Sequence, residues 1–534
     1  MCRSRAGRLV STTTLLTALA LGAGVSGCRT TTEDVHRWAN TAQGPRKLVA
    51  VLEHDKYPMD LRVESAMTLV SMKPRFGRRI GIGNLIDGLN DLPEAERAKI
   101  VAAMEPRLEA EIMKPATGTP EARIDSSIAY KDAAYALLTN DGGPLVTDKT
   151  QVEKLKAALT QWAMTDFSAR MDDSSQAYGM EQVLRMLGAP GVRGLPALIQ
   201  VDAPKVDRIC DLLADIGDTP TKLEASKRLV TMAQEVNSDR WLKNKTPKLE
   251  AANAASKLKP NKDQFQKQLD QYQEEELLRI FGSMKKIGQP PIVDYLLTFA
   301  MDKNQSEKRR ATALIALEGQ IDKDNKGEVD KVLSLASAED TPDSVRDAAL
   351  RRVGEMPRKL VVDRLYPMFD SKEWKIRWVA AELILKMSDS SHIDEFMAHL
   401  GHAKGMSITE PLRYGQLIGE MKTVKVDPVE ALDKYDDTKY PIPVRLSALG
   451  YYYQGGSKND LAKVDKYSSD AEKVPECIPG AKECEWKCTV EAGGKSDEKT
   501  VATVGDFVSF CVKPALEKRA PAPAAAPARP AGGK

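Results

Sequence analysis

From Asp34 onward, apolar residues return at helical spacing and are interrupted by short polar or Pro/Gly breaks. Gly44-Pro45 opens a stretch that puts Leu48, Val49, Val51 and Leu52 on one side. Pro58 marks the turn, and Leu61-Arg62 begins a second stretch with Ala66, Leu69 and Val70 inward. This pattern predicts a helical pair. Between Ser306 and Gly419 it sharpens into a recurring motif in which an aliphatic residue and an Arg open a small-residue face: Val345-Arg346-Asp347-Ala348-Ala349, Ile376-Arg377-Trp378-Val379-Ala380-Ala381, and Leu412-Arg413-Tyr414-Gly415. With Arg310 and Arg445 the arginines step by 36, 31, 36 and 32 residues, the length of one helical hairpin with its turns. Weaker copies follow Arg62 at Glu96-Arg97 and at Tyr130-Lys131-Asp132-Ala133-Ala134, and the register blurs through Gly142-Gly143-Pro144. Gly188, Gly217 and Gly288, each followed closely by Pro, are expected as left-handed helix caps between paired helices.

The Arg after a polar turn, followed by Ala-Ala, resembles the HEAT-repeat family, and the short interval resembles the phycobilisome-lyase-like class of short repeats. The resemblance covers most of residues 34–455. It implies an all-α, right-handed α-solenoid of HEAT-like helical hairpins in which each pair covers the apolar side of the one before. Hairpin repeats are expected over 34–240 and 278–455. The charged, Gln-rich stretch 241–277 is expected as a longer helical hairpin inserted between them, read either as a solvated surface or as a docking arm.

Residues 1–27 have a basic start (Arg3, Arg5, Arg8), an apolar middle too short to span a bilayer, and small residues up to a Cys, which is the layout of a secretory signal. The ending Val25-Ser26-Gly27-Cys28 resembles the lipobox of bacterial lipoproteins. That resemblance implies cleavage after Gly27 and acylation of Cys28, leaving 28–33 as a lipid-anchored tether. Because Arg29 follows the Cys in place of a retaining Asp, it makes the outer membrane the expected destination. Multiple acyl chains hold far more firmly than one.

After Gly455-Gly456 the composition changes. Within 456–518, Cys477, Cys484, Cys488 and Cys511 lie close in sequence, and alternation around Trp486 and Cys488 predicts a strand. A return strand over Lys499–Thr503 and a helix over Val504–Lys518 complete a small α+β module. Four cysteines in an exported chain read as two disulfides, with three pairings open. The preferred one joins Cys488 to Cys511 and Cys477 to Cys484. Zinc is the rival, although the spacing lacks paired Cys-x2-Cys knuckles. Cys210, in an apolar helical run, reads as a buried thiol. The Ala/Pro-rich tail 519–534 cannot build a core.

The 534-residue chain has 78 basic and 76 acidic side chains; without the signal's three arginines the balance is 75 against 76. That gives no overall basic excess of the kind nucleic-acid binding calls for. His392, Glu395, His399 and His402 fall on one helical face and are the best candidates for a metal-dependent enzyme or factor, although Gly401 is placed to break that helix. None of the five histidines is followed by Glu, as the di-iron hydroxylases among HEAT proteins require, and phosphate loops and nucleophile elbows are absent from the sequence. Tyr451, Tyr452 and Tyr453 either cap the last repeat or offer an interaction patch. The reading that follows is a non-catalytic scaffold without cofactor, held to the membrane through lipidated Cys28. Its expected partner is another protein of the bacterial cell envelope.

Overall fold

The structure, a computed structural model, describes residues 29–519 except 76–77, 120–122, 258, 339, 404–405, 422–426, 436, 476–484 and 493–494. Cys28, Cys477, Cys484, the signal and the tail lie outside the described residues. The chain divides into two compact units, Met1–Gly194 and Leu195–Lys534.

Both units are helical, and most helices pack against their neighbour in sequence and against the helix two along. In the first unit, Gly44–Glu53 pairs with Met59–Ser71, Ile80–Asn90 packs on both of these, and Glu94–Ile112 packs on Ser127–Thr139 and Lys149–Met164, which also meet each other. In the second, Pro290–Met301 pairs with Glu307–Ala316, Lys326–Ser337 with Asp343–Val353 and Arg358–Leu365 with Trp374–Met387, while Thr409–Gly419 packs chiefly on Ile442–Gly455, with Ile393–Leu400 and Pro428–Leu432 as the short helices that precede them in the chain. The cores are aliphatic, with alanines at the close approaches: Ala313, Ala349, Ala380 and Ala381 have no exposed surface.

The recurring Arg has a specific job. Arg62, Arg310, Arg346, Arg377 and Arg445 each stand four residues into the second helix of a pair and are buried. The first four reach back to backbone carbonyls at the end of the first helix or in the turn after it. Arg62 Nε donates to the Leu52 carbonyl at 2.8 Å, Arg310 Nε to Ala300 at 2.8 Å, Arg346 Nη2 to Ala338 at 3.0 Å and Thr341 at 2.9 Å, and Arg377 Nη1 to Ser371 at 2.7 Å. These carbonyls lack intrahelical partners, so the side chain completes a helix end that burial would otherwise leave unsatisfied.

Arg413 does not belong to the series. It stands five residues into Thr409–Gly419, so the helical rotation carries it away from the interior and Leu412 takes the buried position. Gly288 caps its helix in the left-handed conformation, with φ +58°, and Gly188 also has positive φ, +66°. Gly217 is extended instead, at φ −71°, because Asp218 at once caps the next helix by accepting from the Thr221 N–H at 3.0 Å. One glycine pair is required by packing. A Cβ on Gly415 would lie 2.0 Å from the Ser447 carbonyl oxygen and one on Gly450 would lie 2.6 Å from the Leu412 oxygen, which is how the Thr409–Gly419 and Ile442–Gly455 helices come into backbone contact.

The expected insertion is a helical hairpin of Asp239–Ala255 and the 26-residue Lys262–Ile287, whose carboxy-terminal half joins the second unit's core through Leu277, Ile280, Phe281 and Met284. At the far end, the antiparallel strands Lys487–Ala492 and Lys495–Thr500 form a two-stranded sheet. The return strand begins earlier than the alternation suggested. The helical segment after it, Val504–Glu517, contains a π turn over Val508–Val512. Cys488 and Cys511 are bonded, with Cα atoms 5.4 Å apart. No helix among the described residues is long and apolar enough to cross a membrane.

Candidate functional site

The metal-site expectation fails on geometry. Glu395 is held by Arg358 Nη2 at 2.6 Å, and the His399 ring stacks on Tyr366 with centroids 3.7 Å apart. His392 belongs to its own turn, where Nδ1 accepts from the Asp389 N–H at 3.3 Å, and the helix stops at Leu400. Among the described residues no group of three or more His, Cys, Asp or Glu side chains stands close enough to hold a metal. Cys210 is buried against Ser283, and burial pushes its thiol up to about 12, so it stays protonated and unreactive.

The tyrosine patch also changes role. Tyr451 and Tyr452 are buried, and Tyr453 packs on Trp486 and Phe507 of the carboxy-terminal module at centroid distances of 6.3 and 5.9 Å. Arg445 reinforces this seam through Asp470 and Glu472, and Arg519 returns to the Tyr452 and Gly456 carbonyls at 3.2 and 2.8 Å. These tyrosines cap the last repeat. Their rings serve packing here, with Tyr453 half-buried.

A different aromatic group faces solvent. On the Trp374–Met387 helix the interior stripe is Ile376, Arg377, Ala380, Ala381 and Ile384. Trp374 and Trp378, four residues apart, lie off that stripe on the polar side. Trp374 is 40% exposed and meets Trp378 edge to face at 6.3 Å. Arg413 on the next second helix places its guanidinium 6.0 Å over the Trp378 ring, and Tyr414 lies 6.4 Å from it on the inner side. The misregister that removes Arg413 from the interior therefore delivers it here.

The support beneath is rigid. Arg377 makes a two-pronged ion pair with Glu410 at 2.9 and 2.6 Å, with side chains only 1% and 2% exposed. Glu410 also accepts from the Tyr414 hydroxyl at 3.3 Å and the Ser407 N–H at 3.4 Å. Burial, and then the Glu410 charge, raise the Tyr414 hydroxyl well above its usual range, which keeps it a donor. Tryptophan, arginine and tyrosine on a preorganised base are the chemistry of protein-recognition hot spots. The sequence signal for the site was the Trp pair at i and i+4 on the polar face of a repeat helix.

No protein-family model matches the chain, and no curated protein matches it. Three solved structures it resembles are of the karyopherin Kap121p. A multiply substituted mutant aligns at 13% identity over 82% of this chain and 43% of its own, with a TM-score of 0.29. The complex with Pho4p aligns at 14% over 81% and 44%, TM-score 0.30, and that with the extreme C-terminus of the protein phosphatase Cdc14p at 10% over 91% and 52%, TM-score 0.25. The chain thus spans about half the length of these structures. At such scores the likeness constrains neither partner nor activity.

Proposed function

We propose that this chain is a lipoprotein of the bacterial cell envelope, anchored through acylated Cys28 in the outer membrane, that works as a non-catalytic scaffold for another envelope protein. The observation that carries the scaffold reading is the solvent-facing Trp374, Trp378 and Arg413 group set on the buried Arg377–Glu410 pair. An exposed Trp backed by a fixed charge pair loses little side-chain freedom on binding, so it supports affinity where a mobile surface would not. The amino-terminal signal and lipobox-like ending support the anchor.

A photo-crosslinking residue placed at position 374 in cells is expected to capture one dominant envelope protein, and Trp378→Ala with Arg413→Ala is expected to abolish that product. Capture that is diffuse, or unchanged in the double variant, would overturn the assigned face. Intact-mass measurement of the membrane fraction tests the anchor: the mature chain should begin at Cys28 with fatty acids attached, and Cys28→Ser should lose them.

A further inference from the structure

The hairpin formed by Asp239–Ala255 and Lys262–Ile287 stands apart from the rest of the second unit in its charge. Residues 240–268 hold eight Lys or Arg and two acidic residues, Glu250 and Asp263, while the other 505 residues hold 70 basic and 74 acidic groups. Elsewhere in the unit, some exposed lysines pair across successive repeats, as Lys308 does with Glu274, Lys375 with Asp343 at 2.8 Å, and Lys434 with Asp394 at 2.7 Å, while others such as Lys323, Lys326 and Lys359 stand singly. On the hairpin such single lysines are clustered. Lys243, Lys248, Lys257, Lys259, Lys262 and Lys267 are all exposed, and among the described residues only Lys248 has a carboxylate near it, Asp202 at 3.8 Å. The one lysine turned inward, Lys245, is already neutralised by the same Asp202. Side chains of the tip bond within the hairpin, as Asn253 does to Gln268 at 2.9 Å, so nothing ties the charge down to the stack.

We infer that this hairpin is a docking arm for a bilayer surface rich in anionic phospholipid. Three features select a membrane over a nucleic acid. The cations at the tip, Lys257, Lys259, Lys262 and Lys267, are all lysines, diffuse point charges suited to a headgroup layer, and the one arginine of the stretch, Arg240, stands at the start of the first helix, away from the tip. The half-buried Phe265 lines an open recess together with Lys257, Lys259 and Lys262, three cations against the single carboxylate of Glu250. Beside it Ala251, Ala252, Ala254 and Ala255 are exposed, so the tip has apolar surface among the lysines, as segments lying in the membrane interface do. The arm extends the proposed lipid anchoring: acyl chains hold the chain to a membrane, whereas the arm would fix how the second unit is presented to one.

The test uses the full mature chain with Cys28→Ser, so that acylation cannot contribute, and vesicles of phosphatidylglycerol with phosphatidylcholine against phosphatidylcholine alone. Sedimentation with the anionic vesicles is expected, weakening as salt shortens the reach of the charges. Lys257→Gln, Lys259→Gln, Lys262→Gln and Lys267→Gln together should lower the partition coefficient by nearly three orders of magnitude, on the basis of roughly fivefold per lysine. The same four positions changed to Arg should retain binding. Equal binding to neutral vesicles, no binding by the parent chain, or full binding by the Gln variant overturns the arm. So does a preference for duplex or single-stranded nucleic acid over anionic vesicles. Should the Gln variant fail to fold, the parent's lipid preference and salt dependence still decide. Because the assay uses an unacylated chain, loss of the Cys28 anchor reading and loss of this one are separate results.

Discussion

The repeats of the second unit and the Lys131 region of the first both bury cations in helical stacks, yet they satisfy them in opposite ways. Arg310 and Arg346 spend their guanidinium groups on carbonyls in or just after the helix before them, so the partner is backbone and comes with the hairpin whatever its side chains are. Lys131 and Asp132 have no exposed surface at all, and their partners come from a loop some 45 residues on. Lys131 Nζ donates to Asp132 at 2.6 Å and to Gln176 at 3.0 Å. Asp132 pairs with Arg79 at 3.2 Å and accepts from the Ala177 and Tyr178 N–H groups at 2.9 and 3.2 Å. A second pair, Arg170 with Asp125 at 2.9 Å, lies beside Trp162, whose indole N–H donates to Ser127 at 2.8 Å. Burial pushes the Lys131 ammonium down while Asp132 pulls it back. Backbone-satisfied cations make a module that can be repeated; side-chain-satisfied ones make a junction that occurs once.

Arg377 combines both modes, and the largest effect is expected there. Arg377→Met removes the carbonyl bond and strands Glu410 in the interior, and breaking a buried pair from one side costs about 3–5 kcal/mol. Urea denaturation should show that loss at an unchanged slope, with most of it recovered by adding Glu410→Leu. Arg310 has a backbone acceptor and leaves no stranded charge, so Arg310→Met should cost less, about 1.5–3 kcal/mol. Equal losses at 310 and 377 would mean that the carbonyl bond, and not the ion pair, holds these hairpins.

The junction has a pH signature that arises from a carboxylate inside the stack. Burial raises the Asp125 carboxyl, but hydrogen bonds from Ser127 and Arg170 and the nearby Arg123 outweigh it and hold the group below its ordinary value of 3.8. Its stabilisation is therefore complete above 3.8 and is lost as pH falls from there through the folded value. The slope approaches about 1.4 kcal/mol per pH unit, that of one proton. Asp125→Asn should flatten the acid limb of the stability profile below pH 4, measured by denaturant midpoint. An unchanged limb would place the acid sensitivity elsewhere.

The same contrast explains what could be read from the sequence. A backbone-satisfied Arg needs only its position in the hairpin, so its period survives as a spacing of 31–36 residues and announces helical pairs. The Lys131 junction depends on Arg79, Gln176 and the 177–178 backbone, which no local pattern ties together; the sequence showed Lys131-Asp132 only as a weak copy of the repeat motif, with the register blurring through Gly142-Gly143-Pro144. The half-buried Trp378 was visible only as a letter of the repeat motif, and the exposed Trp374 just before that motif drew no notice. The tyrosines at 451–453 drew notice by density, which does not distinguish a packed seam from a surface. His392, Glu395 and His399 share a face, but His392 is held within its own turn by Asp389, and neighbouring elements engage Glu395 and His399 through Arg358 and Tyr366.

Arg413 isolates position from composition, and its effect on stability should be the smallest. By spacing it is the fourth arginine of a series; by rotation it is a surface residue bonded to Gln416 at 3.1 Å and lying over Trp378. It reaches no carbonyl of the helix before it, and that role in its hairpin is left to packing and to the glycine contact between Gly415 and Gly450. Arg413→Ala should therefore change the denaturant midpoint by no more than about 0.5 kcal/mol, the range of ordinary surface substitutions. Moving the arginine back into register, as Leu412→Arg with Arg413→Ala, should be strongly destabilising, because the Leu412 site is apolar and only 1% exposed and its backbone is already pressed against Gly450. If Arg413→Ala instead costs as much as Arg310→Met, this hairpin is fastened like the others and its surface assignment to the tryptophan group is wrong.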